Sequence, residues 1–117
     1  MSGYVSYRAG LSAEDGVAAG YQRRGHRVAA TRWRCAAGEI DLIVREGDTI
    51  VFVEVKRARD FETAAGRLGP HQFGRIGRAA AQFLAGEPRG QDTDARFDVA
   101  LVDGTGAVRV IENVLMT

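Results

Sequence analysis

The sequence predicts a single α/β domain, and three observations carry that prediction. Two stretches place apolar residues at helical spacing, several short runs alternate as strands do, and a tight-turn signal joins two of those runs. The chain has 117 residues, the size of one domain, and its 45% apolar content suffices to bury a core. No repeat, low-complexity tract or linker divides it.

Residues 1–10 lack periodicity and are expected to form a mobile or loosely packed arm. Ser12, Ala13, Glu14 and Asp15 then read as a helix start, and a first helix is predicted from Ala13 to Arg24. Val17, Ala18 and Tyr21 share its apolar face with Glu14, and Gly25 stands where a left-handed C-terminal cap belongs. An extended segment from His26 to Arg34 follows, then strand-like runs from Glu39 to Arg45 and from Ile50 to Arg57. The polar, glycine-containing stretch from Arg57 to Gly69 reads as a flexible connection of the sort that often borders an active site. Pro70 opens a second helix, on which Phe73, Ile76, Ala80, Phe83 and Leu84 recur at helical spacing until Gly86 and Pro88 stop it. Runs from Arg96 to Val102 and from Val108 to Val114 complete the strands.

Charge gives little away in total but more in kind. Lys+Arg 16 against Asp+Glu 15 leaves a formal net charge of +1, so any basic surface has to come from local clustering. Fifteen of those cations are arginines and Lys56 is the only lysine. The single cysteine, Cys35, excludes an internal disulfide and a cysteine-built zinc site, and it suits a reducing compartment. With neither a secretory leader nor a membrane-length apolar stretch in view, the expected location is cytoplasmic.

The most informative stretch is the hairpin. Gly47-Asp48 is a two-residue loop signal, so Glu46 should pair with Thr49. Carried along the ladder, that register sets Asp41 opposite Glu54 and Glu39 opposite Lys56, with all four on one face. The other face should hold Ile40, Leu42 and Val44 against Val51, Val53 and Val55. Ile43 and Phe52 interrupt the charged face, which puts the carboxylates at the margin of a core.

Opposed carboxylates destabilise a sheet unless a proton or a cation relieves them. Hard oxygen donors without clustered histidine or thiolate point to Mg2+ or Mn2+, with Asp41 and Glu54 as ligands and Glu14 as a third. At such a site Lys56 would orient or deprotonate an attacking water and offset charge on a phosphoryl group. Glu39 and Gln72 are candidate accessory residues, and Arg32, Arg34, Arg57 and Arg75 are candidate phosphate contacts. The same register also fits an ordinary Glu39–Lys56 ion pair with Asp41 and Glu54 diverging into solvent. Glu14 fits equally a carboxylate favoured by the helix dipole. Trp33 reads as core, and His26, His71 and Cys35 have no partner at a spacing that suggests chemistry.

Gly38-Glu39-Ile40-Asp41-Leu42-Ile43, followed by Val51-Phe52-Val53-Glu54-Val55-Lys56, resembles the YraN family of small bacterial endonuclease-like proteins. Leu11 to Glu14, the Gly25 turn, Trp33-Arg34-Cys35, Arg96-Phe97-Asp98-Val99 and Ile111-Glu112-Asn113 also fall in that family's order, so the resemblance covers nearly the whole chain. That family is similar to archaeal Holliday junction resolvases within the PD-(D/E)xK nuclease superfamily. The resemblance implies a restriction-endonuclease-like mixed β-sheet flanked by helices, with Glu14, Asp41, Glu54 and Lys56 as the metal and catalytic set. Gln72 departs from the lysine that many relatives carry there. The expected activity is metal-dependent hydrolysis of phosphodiester bonds in DNA, branched or structured DNA by analogy, with a homodimer supplying a second site. The alternative is a nonenzymatic nucleic-acid-binding or scaffold domain that keeps the fold.

Overall fold

The computed structural model describes residues 2–114, with side chains described from Ala13 onward except His71. Helix α1 (Ser2–Arg23) is followed by strands β1 (Arg27–Cys35), β2 (Gly38–Glu46) and β3 (Thr49–Arg57). Helices α2 (Phe61–Gly66) and α3 (Pro70–Ala85) come next, then a single 3₁₀ turn, β4 (Ala95–Val102) and β5 (Val108–Ile111). The five strands form one sheet in chain order, in which β3 and β4 run parallel and every other neighbouring pair is antiparallel. This is the mixed sheet flanked by helices expected of a restriction-endonuclease-like fold. Among the described residues no helix is long and apolar enough to cross a membrane.

Helix α1 begins at Ser2, well before the expected start at Ala13, so residues 2–10 are helical where an arm was expected. Ser12 and the acidic pair after it are compatible with a helix interior, and a cap signal of that kind does not by itself bar continuation upstream. The other end behaves as expected. Gly25 takes φ +90, His26 N–H donates to Tyr21 O at 3.0 Å and Gly25 N–H to Gln22 O at 3.0 Å, the two bonds of a left-handed glycine cap. Helix α3 keeps its predicted limits, with Pro70 in its first turn and Gly86 at its C-cap.

Helix α2 lies in the stretch expected to be a flexible connection. Asp60 Oδ1 accepts from Thr63 N–H at 2.7 Å and starts the helix, while Ala64 anchors it against Val99 and Leu101. Six residues with one buried anchor give too short a pattern for periodicity to register. The last strand ends at Ile111, short of Val114, because the chain turns at Asn113, which adopts φ +55. Asn113 N–H donates to Asp98 Oδ1 at 3.0 Å, outside the ladder.

Each sheet face carries its own core. Leu42, Val44, Val51 and Val53 pack with Val17 and Tyr21 of α1 and with Ala100 and Val102. On the reverse face Ile43, Ile50 and Phe52 pack with Ala79, Ala80 and Leu84 of α3. There Trp33 and Phe52 both meet Phe83 edge to face, at 5.4 and 5.9 Å between ring centroids.

The hairpin register is as predicted from Glu46↔Thr49 to Leu42↔Val53. Gly47 supplies the positive φ of its turn, at +58. Ile40 departs from expectation. It should share a face with Leu42, yet it packs with Ile43 on the α3 side. The cause is a kink shared by two strands. Arg32 falls between Thr31, which faces Leu42, and Trp33, which faces Ile40, and so stands across from Asp41. Its φ is +45, in the left-handed region that a strand residue rarely occupies. Rotation at this step turns Trp33 and Ile40 onto the α3 face together.

Candidate active site

The kink and the hairpin register bring Asp41 and Glu54 to one cleft. Beyond Leu42↔Val53 the ladder gives way, and Asp41 Oδ2 accepts the Val55 N–H at 2.8 Å. A side chain thus takes the place of a backbone acceptor where β2 and β3 part. Asp41, Glu54, Glu39 and Gly38 line a cavity of about 240 Å³, closed on the other side by Gln72, Arg75 and Ile76 of α3.

Glu54 is buried, with 9% of its surface exposed. Its Oε2 accepts from the Gln72 amide, and Lys56 Nζ lies 3.1 Å from the same oxygen. Alternation along β3 directs Glu54 and Lys56 to one face, where Lys56 is largely covered too. Burial and then the Asp41 charge push the Glu54 carboxyl up to about 7, against the pull of Lys56.

Glu14 approaches from α1. Its carboxyl is also raised, first by burial and next by the Asp41 charge, while Arg32 opposes the shift. Arg32 Nη1 lies 3.5 Å from Glu14 Oε2, and among the described residues that oxygen is buried without a hydrogen-bond partner. A buried carboxylate oxygen without a donor, beside a second carboxylate, is an arrangement that a cation relieves. Glu14, Asp41 and Glu54 therefore provide the hard oxygen donors that Mg2+ or Mn2+ would require. As the side chains lie, no three His, Cys, Asp or Glu groups among the described residues stand close enough to chelate one ion. Asp41 is turned to Val55, Glu54 to Gln72 and Lys56, and Glu14 to Arg32.

The remaining candidates divide. Glu39 lines the cleft but pairs with Arg34, whose Nε is 2.6 Å from Glu39 Oε2, so the alternative Glu39–Lys56 ion pair is not the one formed. Arg75 is at the cleft wall and Arg32 beside Glu14. Arg57 is elsewhere. It lines a second cavity with Ala13, Gly16 and the Asp103–Gly106 loop.

A further polar cluster escaped the sequence reading. Asp98, only 1% exposed, accepts from Tyr21 Oη at 2.6 Å and from Arg96 Nε at 3.1 Å. Arg96 also reaches Glu46 and Glu112, and His26 Nε2 lies 2.8 Å from Glu46 Oε2. The available signal was Asp98 itself, a carboxylate in a strand whose other buried residues are all apolar. The side chain of His71 lies outside the described residues.

The model of Uncharacterised protein family UPF0102 matches residues 13–102, a span that holds Glu14, Asp41, Glu54, Lys56 and Gln72. The chain belongs to UPF0102. A UPF0102 protein of Cereibacter sphaeroides is 58% identical over 113 residues, covering 97% of each chain. UPF0102 proteins of Ruegeria pomeroyi and Roseobacter denitrificans are 55% and 50% identical, covering 95% and 97% of this chain and 90% and 88% of theirs. The Gly38–Lys56 motif thus sits inside the UPF0102 match, as its resemblance implied.

Proposed function

We propose that this UPF0102 protein is a metal-dependent nuclease that hydrolyses phosphodiester bonds in DNA. The observation that carries the reading is the convergence of Asp41 and Glu54, from two strands that part at that point, on one polar cleft, with Lys56 Nζ 3.1 Å from the Glu54 carboxylate. A buried carboxylate held beside a second, half-buried one, with a lysine against it, costs a domain stability, and such crowding is commonest where chemistry needs it.

Asp41, Glu54 and Glu14 would hold Mg2+ or Mn2+, which when bound supplies Lewis acidity toward a phosphoryl oxygen and lowers the pKa of a water. Gln72 fixes the Glu54 carboxylate through its amide. Lys56 orients the attacking water and offsets the negative charge that grows on the phosphoryl oxygens. Water oxygen bonds to phosphorus as the ester oxygen opposite departs, with protons exchanged with solvent. Arg75 at the cleft wall, and Arg32 and Arg34 on the β1 edge, would meet flanking phosphates. Branched or structured DNA is the proposed substrate, on the likeness of the motif to archaeal junction resolvases. A resolvase role would require two copies acting together.

The test is cleavage of linear duplex, single-stranded and four-way-junction DNA with Mg2+ or Mn2+, comparing wild type with Asp41→Asn. Cleavage by the wild type alone supports the nuclease and ranks its substrates. Equal DNA binding without cleavage by either protein would replace it with the nonenzymatic binding domain.

A further inference from the structure

Metal binding by Asp41, Glu54 and Glu14 does not by itself require an arginine in a left-handed conformation within a strand. Regular alternation would send Ala30 and Arg32 to the α3 face and Trp33 to the α1 face. Instead Ala30 and Trp33, three residues apart, both pack on the α3 side, and Arg32 meets Glu14 of α1. Ile40 and Ile43 on β2 show the same three-residue spacing. One rotation at Arg32, with φ +45, therefore does two things. It seats Trp33 against Phe83, and it carries a guanidinium to the buried oxygen of Glu14. A non-glycine residue keeps such a conformation only where its surroundings impose it.

The charges explain what the guanidinium does there. Glu14 is pressed by Asp41 and by Glu39, and Arg32 is the cation that opposes them. Contact is loose, at 3.5 Å, and Arg32 remains 46% exposed. It is a counter-charge held at ion-pair distance by a long, solvated side chain, which can leave without unfolding anything.

We propose that Arg32 is the resident counter-cation of the three-carboxylate site, holding Glu14 while no divalent ion is bound and releasing it when one binds. The inference rests on the metal reading above but makes a separate claim, that ion binding is an exchange of one cation for another. Arg32 is a positioning residue for Glu14, and once released its guanidinium is free to meet a phosphate.

The experiment is calorimetric titration of the full chain with Mn2+, for wild type, Arg32→Asn, Arg32→Lys, Glu14→Gln and the Glu14→Gln/Arg32→Asn double variant. Asparagine tolerates the left-handed region, so Arg32→Asn removes the charge and keeps the kink. Arg32→Asn should bind Mn2+ several-fold more tightly than wild type, and Arg32→Lys should stay close to wild type. In the Glu14→Gln background the Arg32→Asn effect should disappear, a coupling that a purely structural role for Arg32 would not produce. Equal affinity of wild type and Arg32→Asn would overturn the exchange while leaving the metal site standing. Absence of Mn2+ binding by both would remove the metal site and the exchange together. Unfolding of the five proteins in chelator confirms that each titration is of folded chain.

Discussion

Asp41 Oδ2 accepts the backbone N–H of Val55 at 2.8 Å, so the carboxylate at the centre of the proposed site is also the pin that ends the β2–β3 ladder. The two duties separate by substitution. Asp41→Asn retains an acceptor for Val55 and should unfold close to wild type while losing Mn2+ affinity and cleavage. Asp41→Ala leaves the Val55 N–H unmet and should cost about 1–3 kcal/mol as well. Urea unfolding of both variants in chelator checks the difference, and equal stability would show that the Val55 contact carries no weight.

Glu54 makes a pH-dependent prediction for the metal-free protein. Its folded-state pKa is about 7 against an ordinary 4.5, so the fold prefers the protonated form. The stability contributed by that preference is full below pH 4.5 and is lost as the pH rises through 7. Glu54→Gln should therefore be the more stable protein at pH 8, by up to about 3 kcal/mol, with the gap closing toward pH 4.5. Urea midpoints of the two proteins at pH 4.5, 6 and 8 in chelator measure it; parallel pH curves would contradict the burial of Glu54 beside the Asp41 charge.

Arg32 yields a stability test independent of any ligand. At an ordinary strand position glycine is the worse residue, because it has more freedom to lose. At φ +45 the order reverses, and Arg32→Gly should exceed Arg32→Ala by about 1 kcal/mol. Thermal unfolding of the pair decides it.

The Tyr21–Asp98 contact predicts a different kind of loss. Asp98 is buried with Tyr21, Arg96 and the Asn113 N–H as its donors. Asp98→Ala takes from Arg96 its buried partner and leaves the Tyr21 hydroxyl and the Asn113 N–H without their acceptor, and should cost about 3–5 kcal/mol. Tyr21→Phe removes one donor of several and should cost about 1.5–3 kcal/mol. Neither residue touches the cleft, so DNA cleavage per folded molecule should be unchanged in Tyr21→Phe.

What was legible in the sequence follows from how local each signal is. The hairpin announced its register because Gly47-Asp48 fixes the turn and a one-residue slip would bury Asp41 and Glu54 in the α1 core. Helix α3 announced itself through four turns of apolar spacing. Glu14, Asp41, Glu54, Lys56 and Gln72 were all named from sequence, yet their contacts were not. Opposition across a ladder says nothing of Asp41 bonding Val55, since that requires the strands to part. The face of Ile40 was misread for the same reason: period-two alternation assumes a strand without a kink, and nothing in the letters Thr31-Arg32-Trp33 marks a left-handed arginine. Asp98 and Tyr21 lie 77 residues apart, a distance at which pattern reasoning has no purchase.

That last separation bears on how the protein comes into being. The β2–β3 hairpin is a local structure and can form soon after Arg57 leaves the ribosome. The strand that pairs with β3 in parallel, and the aspartate that ties it to the first helix, arrive some forty residues later. At about 5–20 residues per second that interval is a few seconds. For the first part of it the charged face of the hairpin is still wet, because Gln72 and the covering helix α3 have yet to follow. Every residue that lines the cleft is therefore made before β4, and a chain released at that point would carry the whole lining without the Tyr21–Asp98 tie that fastens α1, the helix of Glu14, to the sheet.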